Sequence, residues 1–158
     1  MKKNNTFLTA LLFIILAIFS HCRSRHADSP PAMEEAKKAI AASNAMYFES
    51  FARHDSSIFI NSYAKDACIM APETKQLCGT EAAARFFKTA YEQYGLRNGK
   101  FITTAIYGDG IEFVTEEGLW QSFNENGILF DDGKFLVLWK KTPDGWKMFR
   151  DSFSSNRK

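Results

Sequence analysis

The apolar residues of this chain change their spacing once, near Gly95, and this change limits the possible folds more than any other feature. Before Gly95, apolar side chains recur every three or four residues, as in Ala83, Phe87 and Tyr91, which is the spacing of an amphipathic helix. After Gly95 they alternate, which is typical of strands with one buried face. Helices followed by strands favour an α+β domain over alternating βαβ units.

The first half of the chain predicts three helices. Residues 32–53 are rich in Ala, Glu and Lys and keep apolar side chains at helical spacing. Asp55 can cap a shorter helix that runs to Ser62, because aspartate accepts hydrogen bonds from the free N–H groups of a first helical turn. Thr80 is the expected N-cap of the third helix, and Gly95 is expected to end it.

The other segments predict short strands joined by turns. Residues 63–72, "YAKDACIMAP", form one expected strand with apolar side chains on both faces, and Pro72 stops it. Four further strands are expected at residues 100–107, 111–123, 134–141 and 146–154, with a bulge near Gly118. This order predicts an antiparallel meander in one sheet that curls around the three helices.

The N-terminus has the features of an export signal. Lys2 and Lys3 precede a short apolar run at residues 7–19, and Cys22 follows the run closely, as in a bacterial lipoprotein signal. We therefore expect lipid attachment at Cys22, membrane association through that lipid and a location in the cell envelope. Plain cleavage with a soluble product and a retained anchor are the alternatives. The expected segments are a signal peptide at 1–22, a polar tether at 23–31 and a folded domain at 32–158.

Charge and histidine content exclude two kinds of partner. Without Lys2 and Lys3 the chain has 18 basic and 18 acidic residues, so the basic surface of a nucleic-acid-binding protein is absent. Two of the three histidines, His21 and His26, precede the expected domain, which leaves too few for a histidine metal cluster. We expect neither a metal nor another cofactor.

Cys68 and Cys78 lie on either side of an expected turn at residues 72–75. A hairpin folded there would bring the two cysteines roughly opposite each other. In an oxidising compartment they could form a disulfide. The alternative is two buried thiols that pack as small apolar groups.

Three segments together resemble the nuclear transport factor 2-like superfamily, which includes ketosteroid isomerases and polyketide cyclases. They are "YAKDACIMAP", "GTEAAARFF" and "GKFLVLWKKTPDGWKMFRDSFSSN", and the resemblance extends over residues 33–156. It implies a cone-shaped, curved antiparallel sheet wrapped around three N-terminal helices, with a ligand pocket inside the cone. The ending of the chain is most similar to an uncharacterised exported branch of the superfamily.

The similarity to ketosteroid isomerases extends to individual positions. Their oxyanion-hole tyrosine falls on Tyr47, and their general base, an aspartate, falls on Ala71. Their second oxyanion donor would fall on residues 135–139, which contain no carboxylate. Because alanine cannot carry a proton, the resemblance argues against steroid isomerase activity.

The last strand offers a different carboxylate. In related domains the residues of this strand that face the cone correspond to Phe149, Asp151 and Phe153. Asp151 between two aromatic rings would have a raised pKa suited to acid–base catalysis, with Tyr47 as its partner. Alternatively, Asp151 orients a ligand or pairs with an arginine, and Tyr47 is an ordinary buried aromatic residue. Glu117 is expected on a solvated strand face.

Aromatic and apolar residues supply a candidate ligand pocket and a candidate subunit interface. The expected ligand-contacting residues are Tyr47, Met70, Phe87, Tyr91, Trp120, Phe149, Asp151 and Phe153. Trp146 and Met148 have the opposite parity to Asp151, so we expect them on the outer side of the sheet, in a homodimer interface.

Three functions are compatible with these features. The favoured one is an exported domain that binds a small apolar or amphipathic molecule in the cone pocket. The second is an acid–base enzyme, such as an isomerase, dehydratase, cyclase or hydrolase, that uses Asp151 and Tyr47. The third is a dimeric scaffold with a vestigial cavity.

Overall fold

The computed structural model describes residues 30–157, which form a curved, unclosed six-stranded sheet with three helices. The helices are α1 (Pro31–Ala52), α2 (Ser56–Asn61) and α3 (Thr80–Glu92). The strands are β1 (Tyr63–Met70), β2 (Leu77–Cys78), β3 (Asn98–Gly108), β4 (Phe113–Phe123), β5 (Leu129–Thr142) and β6 (Gly145–Ser155). The α+β fold class is thereby confirmed. The signal peptide, Cys22 and nearly all of the tether lie outside the described residues, among which no helix is long and apolar enough to span a bilayer.

The helix boundaries follow local chemistry, with one correction. Asp55 caps α2 as expected, since its side chain accepts a hydrogen bond of 2.9 Å from the backbone N–H of Ser57. Thr80 is not the N-cap of α3, because it already belongs to the helix. Gly79 takes that position with a φ of 87°, in the left-handed region that favours glycine, and no side chain caps the helix.

The sheet has the strand order β2-β1-β6-β5-β4-β3. Strands β3 to β6 form the expected antiparallel meander. The edge near β1 differs from the expectation, because β1 runs parallel to β6 while β2 pairs with β1 as a short hairpin. A disulfide joins Cys68 in β1 to Cys78 in β2.

The strand register is irregular at four places, and two of these bulges bear on the predicted strand faces. The first is at Thr104 in β3, across from Gly118 and Glu117 of β4. The bulge expected near Gly118 is therefore present in β3 and not in β4. The second is at Phe149 in β6, where the pairing steps from Met148 to Arg150 while β5 advances by one residue. Such an extra residue shifts the alternation of side chains between the two faces.

The bulge at Phe149 overturns the predicted orientation of β6. Trp146 and Met148 lie in the hydrophobic core, with exposures of 6% and 2%, and not on the outer face. Phe149 is instead only partly buried at the edge of the core, and its ring centroid lies 3.6 Å from the guanidinium of Arg150 and 4.8 Å from the ammonium of Lys140. The constant alternation assumed from the sequence fails at this one residue.

Aromatic side chains from α1 and α2 fill the space inside the sheet. Phe51 and Phe59 are fully buried, and their rings contact each other edge-on with centroids 5.4 Å apart. Trp139 from β5 is equally buried. These large residues anchor the helices on the sheet and hold the cavity walls in place.

Candidate functional site

A narrow cavity of about 60 Å³ opens between the helices and the inner face of the sheet. Aromatic side chains make up most of its wall, and the polar members are Tyr47, Ser122 and Asp151. The complete lining is Tyr47, Phe48, Phe86, Leu96, Phe101, Trp120, Ser122, Phe135, Asp151 and Phe153. We call this the cone cavity.

Asp151 is the central polar group of the cone cavity. It is 6% exposed, and its Oδ2 accepts a hydrogen bond of 2.6 Å from the hydroxyl of Tyr63. The parallel pairing of β1 with β6 places the two strands side by side and makes this contact possible. Burial and the nearby charge of Glu116 raise the pKa of Asp151 to about 6, although the Tyr63 hydrogen bond opposes the rise.

Tyr47 and Tyr63 extend this polar centre. Burial raises the pKa of the Tyr47 hydroxyl well above its usual range, and the charge of Asp151 adds to the rise, while an interaction with the Tyr63 side chain opposes it. The pKa of Tyr63 is raised by burial first and by Asp151 second. Both phenols therefore remain protonated and can act as hydrogen-bond donors beside the carboxyl group.

A second buried carboxyl group, Glu116, lies on the same face of the sheet. Its Oε1 accepts hydrogen bonds from Asn44 Nδ2 at 2.8 Å and Thr103 Oγ1 at 2.6 Å, and its Oε2 accepts one from Trp139 Nε1 at 3.0 Å. Burial raises its pKa, and these donors oppose the rise. In the strand register, Val137 separates Glu116 from Asp151. The carboxylate of Glu116 accepts hydrogen bonds from three donors and does not line the cone cavity, whereas Asp151 does.

The structure brings half of the expected ligand-contacting residues together. Tyr47, Trp120, Asp151 and Phe153 line the cone cavity. The other four do not line it. Met70 is the half-buried last residue of β1, and Phe87 packs into the core. Tyr91 stacks on His54, and Phe149 lies at the edge of the core beside Arg150. Their placement corrects the expectation that all eight residues share one pocket.

Sequence reasoning missed Tyr63 and Glu116, and it did not separate Phe86 from the aromatic residues of the core. Glu116 alternates along β4 in step with the buried Val114 and Trp120, and this alternation could have identified it as an inward-facing residue. Glu117 faces outward, as expected. Phe86 adjoins Phe87 on α3, and only the rotation of the helix decides which ring reaches the cavity. The contact of Tyr63 with Asp151 depends on the pairing of β1 with β6, and no local sequence pattern indicates that pairing.

Ala71, the position matched to the general base of ketosteroid isomerases, carries no group that can exchange a proton. Ala71 follows the last residue of β1 and contributes nothing to the lining of the cone cavity. Within residues 30–157, no three His, Cys, Asp or Glu side chains come together in a way that could hold a metal ion. Among the residues that line the cone cavity, Asp151 and Tyr47 carry an ionisable proton, and Tyr63 is hydrogen-bonded to Asp151.

No protein-family model matches the chain, and no curated protein sequence matches it. Solved structures do. An NTF-2-like protein of unknown function from Shewanella oneidensis is 18% identical with a TM-score of 0.63, over 75% of this chain and 98% of the other. The chain has the nuclear transport factor 2-like fold. This fold agrees with the order of helices and strands described above.

Two further solved structures carry functional names. A ketosteroid isomerase-like protein from Erwinia carotovora atroseptica is 18% identical with a TM-score of 0.62, over 77% of this chain and 96% of the other. A putative aromatic ring hydroxylase from Novosphingobium aromaticivorans is 14% identical with a TM-score of 0.61, over 78% and 91%. At these identities the likeness establishes the nuclear transport factor 2-like fold alone.

Proposed function

We propose that the domain binds a small, largely apolar molecule in the cone cavity and exchanges a proton with it at Asp151. The main support for this proposal is that Asp151 is a buried carboxyl group in an aromatic cavity, with a pKa raised to about 6. A carboxyl group with such a pKa can both accept and return a proton near neutral pH. An acid–base enzyme, such as an isomerase or a dehydratase, is the corresponding reaction class.

Tyr63 and Tyr47 give the proposed reaction its second component. Tyr63 fixes the orientation of Asp151 through the 2.6 Å hydrogen bond, and Tyr47 lines the cavity directly. A protonated phenol in a dry cavity can stabilise negative charge that develops on a substrate oxygen. A carbonyl compound with an acidic C–H next to its carbonyl group is therefore the preferred substrate class.

The size of the cone cavity limits the ligand. Its volume of about 60 Å³ is far below the roughly 300–1,000 Å³ of ordinary ligand pockets. The rings of Phe86 and Phe153, whose centroids are 5.9 Å apart, join α3 to β6 at the cavity wall. We propose that separation of these two half-buried rings admits the ligand.

The test measures proton exchange and does not require the natural substrate. Small ketones such as acetone would be incubated with the protein in D2O, and NMR would follow deuterium uptake next to the carbonyl. Asp151→Asn should lower the exchange rate about 100-fold, because general-base catalysis typically contributes at least that much. Asp109→Asn, in the exposed β3–β4 turn, is the matched control and should have no effect. Equal rates for wild type and Asp151→Asn would refute the proposal.

Binding without turnover is the second candidate function, and the predominantly aromatic lining of the cone cavity favours it. In that case Asp151 only orients the ligand. The same ketones should then perturb the NMR signals of Trp120 and Phe153 in wild type, with no exchange above the buffer rate. Binding and exchange together would exclude this candidate.

We further propose export and lipid anchoring, which rest on residues 1–22 of the sequence alone. Cys22→Ser should move the protein from the membrane fraction to the soluble fraction, because the lipid would be its only attachment. Fractionation followed by immunoblotting measures this change. Membrane retention of the Ser variant would instead identify the apolar run as the anchor.

We also propose a homodimer, formed by the outer face of the sheet and not by the buried Trp146 and Met148. Ile102, Leu119 and Leu136 lie on adjacent strands with exposures of 40%, 44% and 51%. Exposed apolar side chains that cluster on a sheet face are typical of subunit interfaces. Sedimentation should give twice the monomer mass, and Leu119→Lys with Leu136→Lys should give the monomer. A wild-type monomer at all concentrations would disprove this arrangement.

A further inference from the structure

A second cavity, of about 460 Å³, lies beside β1 and is separate from the cone cavity. We call it the β1 groove. Its walls come from β1, the end of α2, the start of α3, the turn between β5 and β6, and Lys147. Tyr63 belongs to both regions, since its side chain lines the β1 groove while its hydroxyl binds Asp151 in the cone cavity. Among the residues that the structure describes, Tyr63 is the only groove-lining residue whose side chain hydrogen-bonds to a residue of the cone cavity.

The floor of the β1 groove consists of small and apolar side chains. Ala64 and Ala67 come from β1, and Ala82 and Ala83 come from the first turn of α3. All four are at least nine-tenths buried, so they form the wall of the groove and leave its volume open. That volume falls within the roughly 300–1,000 Å³ range of small-molecule sites, unlike the volume of the cone cavity.

The rim of the β1 groove carries two lysines, Lys65 and Lys147, and two aspartates, Asp66 and Asp144. Across residues 30–157, neither Lys65 nor Lys147 is ion-paired, and the Lys147 ammonium donates only to the backbone oxygen of Asn61. Of the two acidic side chains at the rim, Asp66 is already paired with Lys140 at 3.0 Å. Only Asp144 remains to balance the two lysines.

We propose that the β1 groove binds a small monocarboxylate with an aromatic body. The ring would pack on the alanine floor and against Tyr63, where burial of apolar surface favours it. The carboxylate would face Lys65 and Lys147, whose ammonium groups are hydrogen-bond donors available to an anion. This site is distinct from the proposed chemistry at Asp151 and requires no reaction there.

The test uses phenylacetate as the probe and phenylacetamide as its uncharged counterpart, with the purified full chain. In ¹H–¹⁵N NMR titrations, phenylacetate should shift the amide signals of Ala67, Ala82 and Ala83. The indole signal of Trp120, in the cone cavity, should stay in place. Shifts at Trp120 without shifts at the alanines, or no shifts at millimolar phenylacetate, would overturn the proposal.

Two sets of variants separate the charge from the shape of the site. Lys65→Gln with Lys147→Gln should weaken phenylacetate binding about tenfold and leave phenylacetamide binding unchanged, because only the acid uses the ammonium groups. Lys134→Gln, on the exposed outer face of the sheet, is the control and should bind like wild type. Ala82→Leu should block both probes by filling the groove. Unchanged binding in the glutamine double variant would refute the role of the lysines, and unchanged binding in Ala82→Leu would refute the location.

Discussion

Asp151→Asn should be more stable than wild type at pH 8 by about 2–3 kcal/mol, and the two proteins should be nearly equal below pH 4. Folding raises the pKa of the Asp151 carboxyl group from 3.8 to about 6. Between these values the folded protein holds a proton that the unfolded chain has released. Folding is therefore favoured as the pH falls through this window, and the ionised carboxylate costs stability above it.

The magnitude follows from the size of the pKa shift. Each pKa unit corresponds to about 1.4 kcal/mol, so a shift of roughly two units is worth about 3 kcal/mol at most. Asparagine removes the charge and keeps an oxygen that can accept the Tyr63 hydrogen bond. Urea unfolding at a series of pH values measures the difference. A stability difference that does not change with pH would show that folding does not raise the pKa of Asp151. The exposed Asp109→Asn is the control.

Glu116→Ala should lower the free energy of unfolding by about 3–5 kcal/mol, through the donors that Glu116 now satisfies. Asn44, Thr103 and Trp139 each donate a hydrogen bond to its carboxylate, and Trp139 is fully buried. Truncation to alanine leaves a cavity and removes the acceptor of the fully buried Trp139 indole N–H, whereas the half-buried Asn44 and the exposed Thr103 can bond to water instead. Each of these losses is costly in a protein interior.

The neighbouring glutamate is a matched control for this prediction. Glu117 has the same side chain but lies on the outer face, where it interacts with the exposed Thr104 and Tyr107. Glu117→Ala should therefore cost no more than about 0.5 kcal/mol. Urea unfolding of both variants at one pH gives the comparison. Similar losses for the two would contradict the assignment of Glu116 as a buried hydrogen-bond acceptor.

The fold was largely predictable from the sequence because its main signals are local. The period of the apolar residues indicates α1, α3 and the β3–β6 meander, and Asp55 marks the start of α2. The parallel contact between β1 and β6 is not local, since it depends on the docking of distant segments. The pattern of one strand carries no information about such a neighbour.

Two of the misplaced ligand-contacting residues, Phe87 and Phe149, have a physical explanation. Adjacent positions on α3 differ by about 100° in direction, so the choice between Phe86 and Phe87 depends on how the helix packs. One unpaired residue in β6, Phe149, reverses the facing of every side chain on one side of it. Periodicity assigned Asp151 and Phe153 correctly but failed for Trp146 and Met148.

The pairing of the first long strand with the last has a consequence for the order in which the molecule can fold. Tyr63 and Asp151 are 88 residues apart, so their contact closes a very long loop, and such contacts slow folding. A nascent chain that ends before Gly145 would contain every helix but would leave the β6 side of β1 as an open edge, prone to pairing with other chains. Completion of the six-stranded sheet and assembly of the Tyr63–Asp151 pair are thus one event, and it requires the final strand. An incomplete chain would therefore have an unpaired strand edge and would lack the Asp151 carboxyl group.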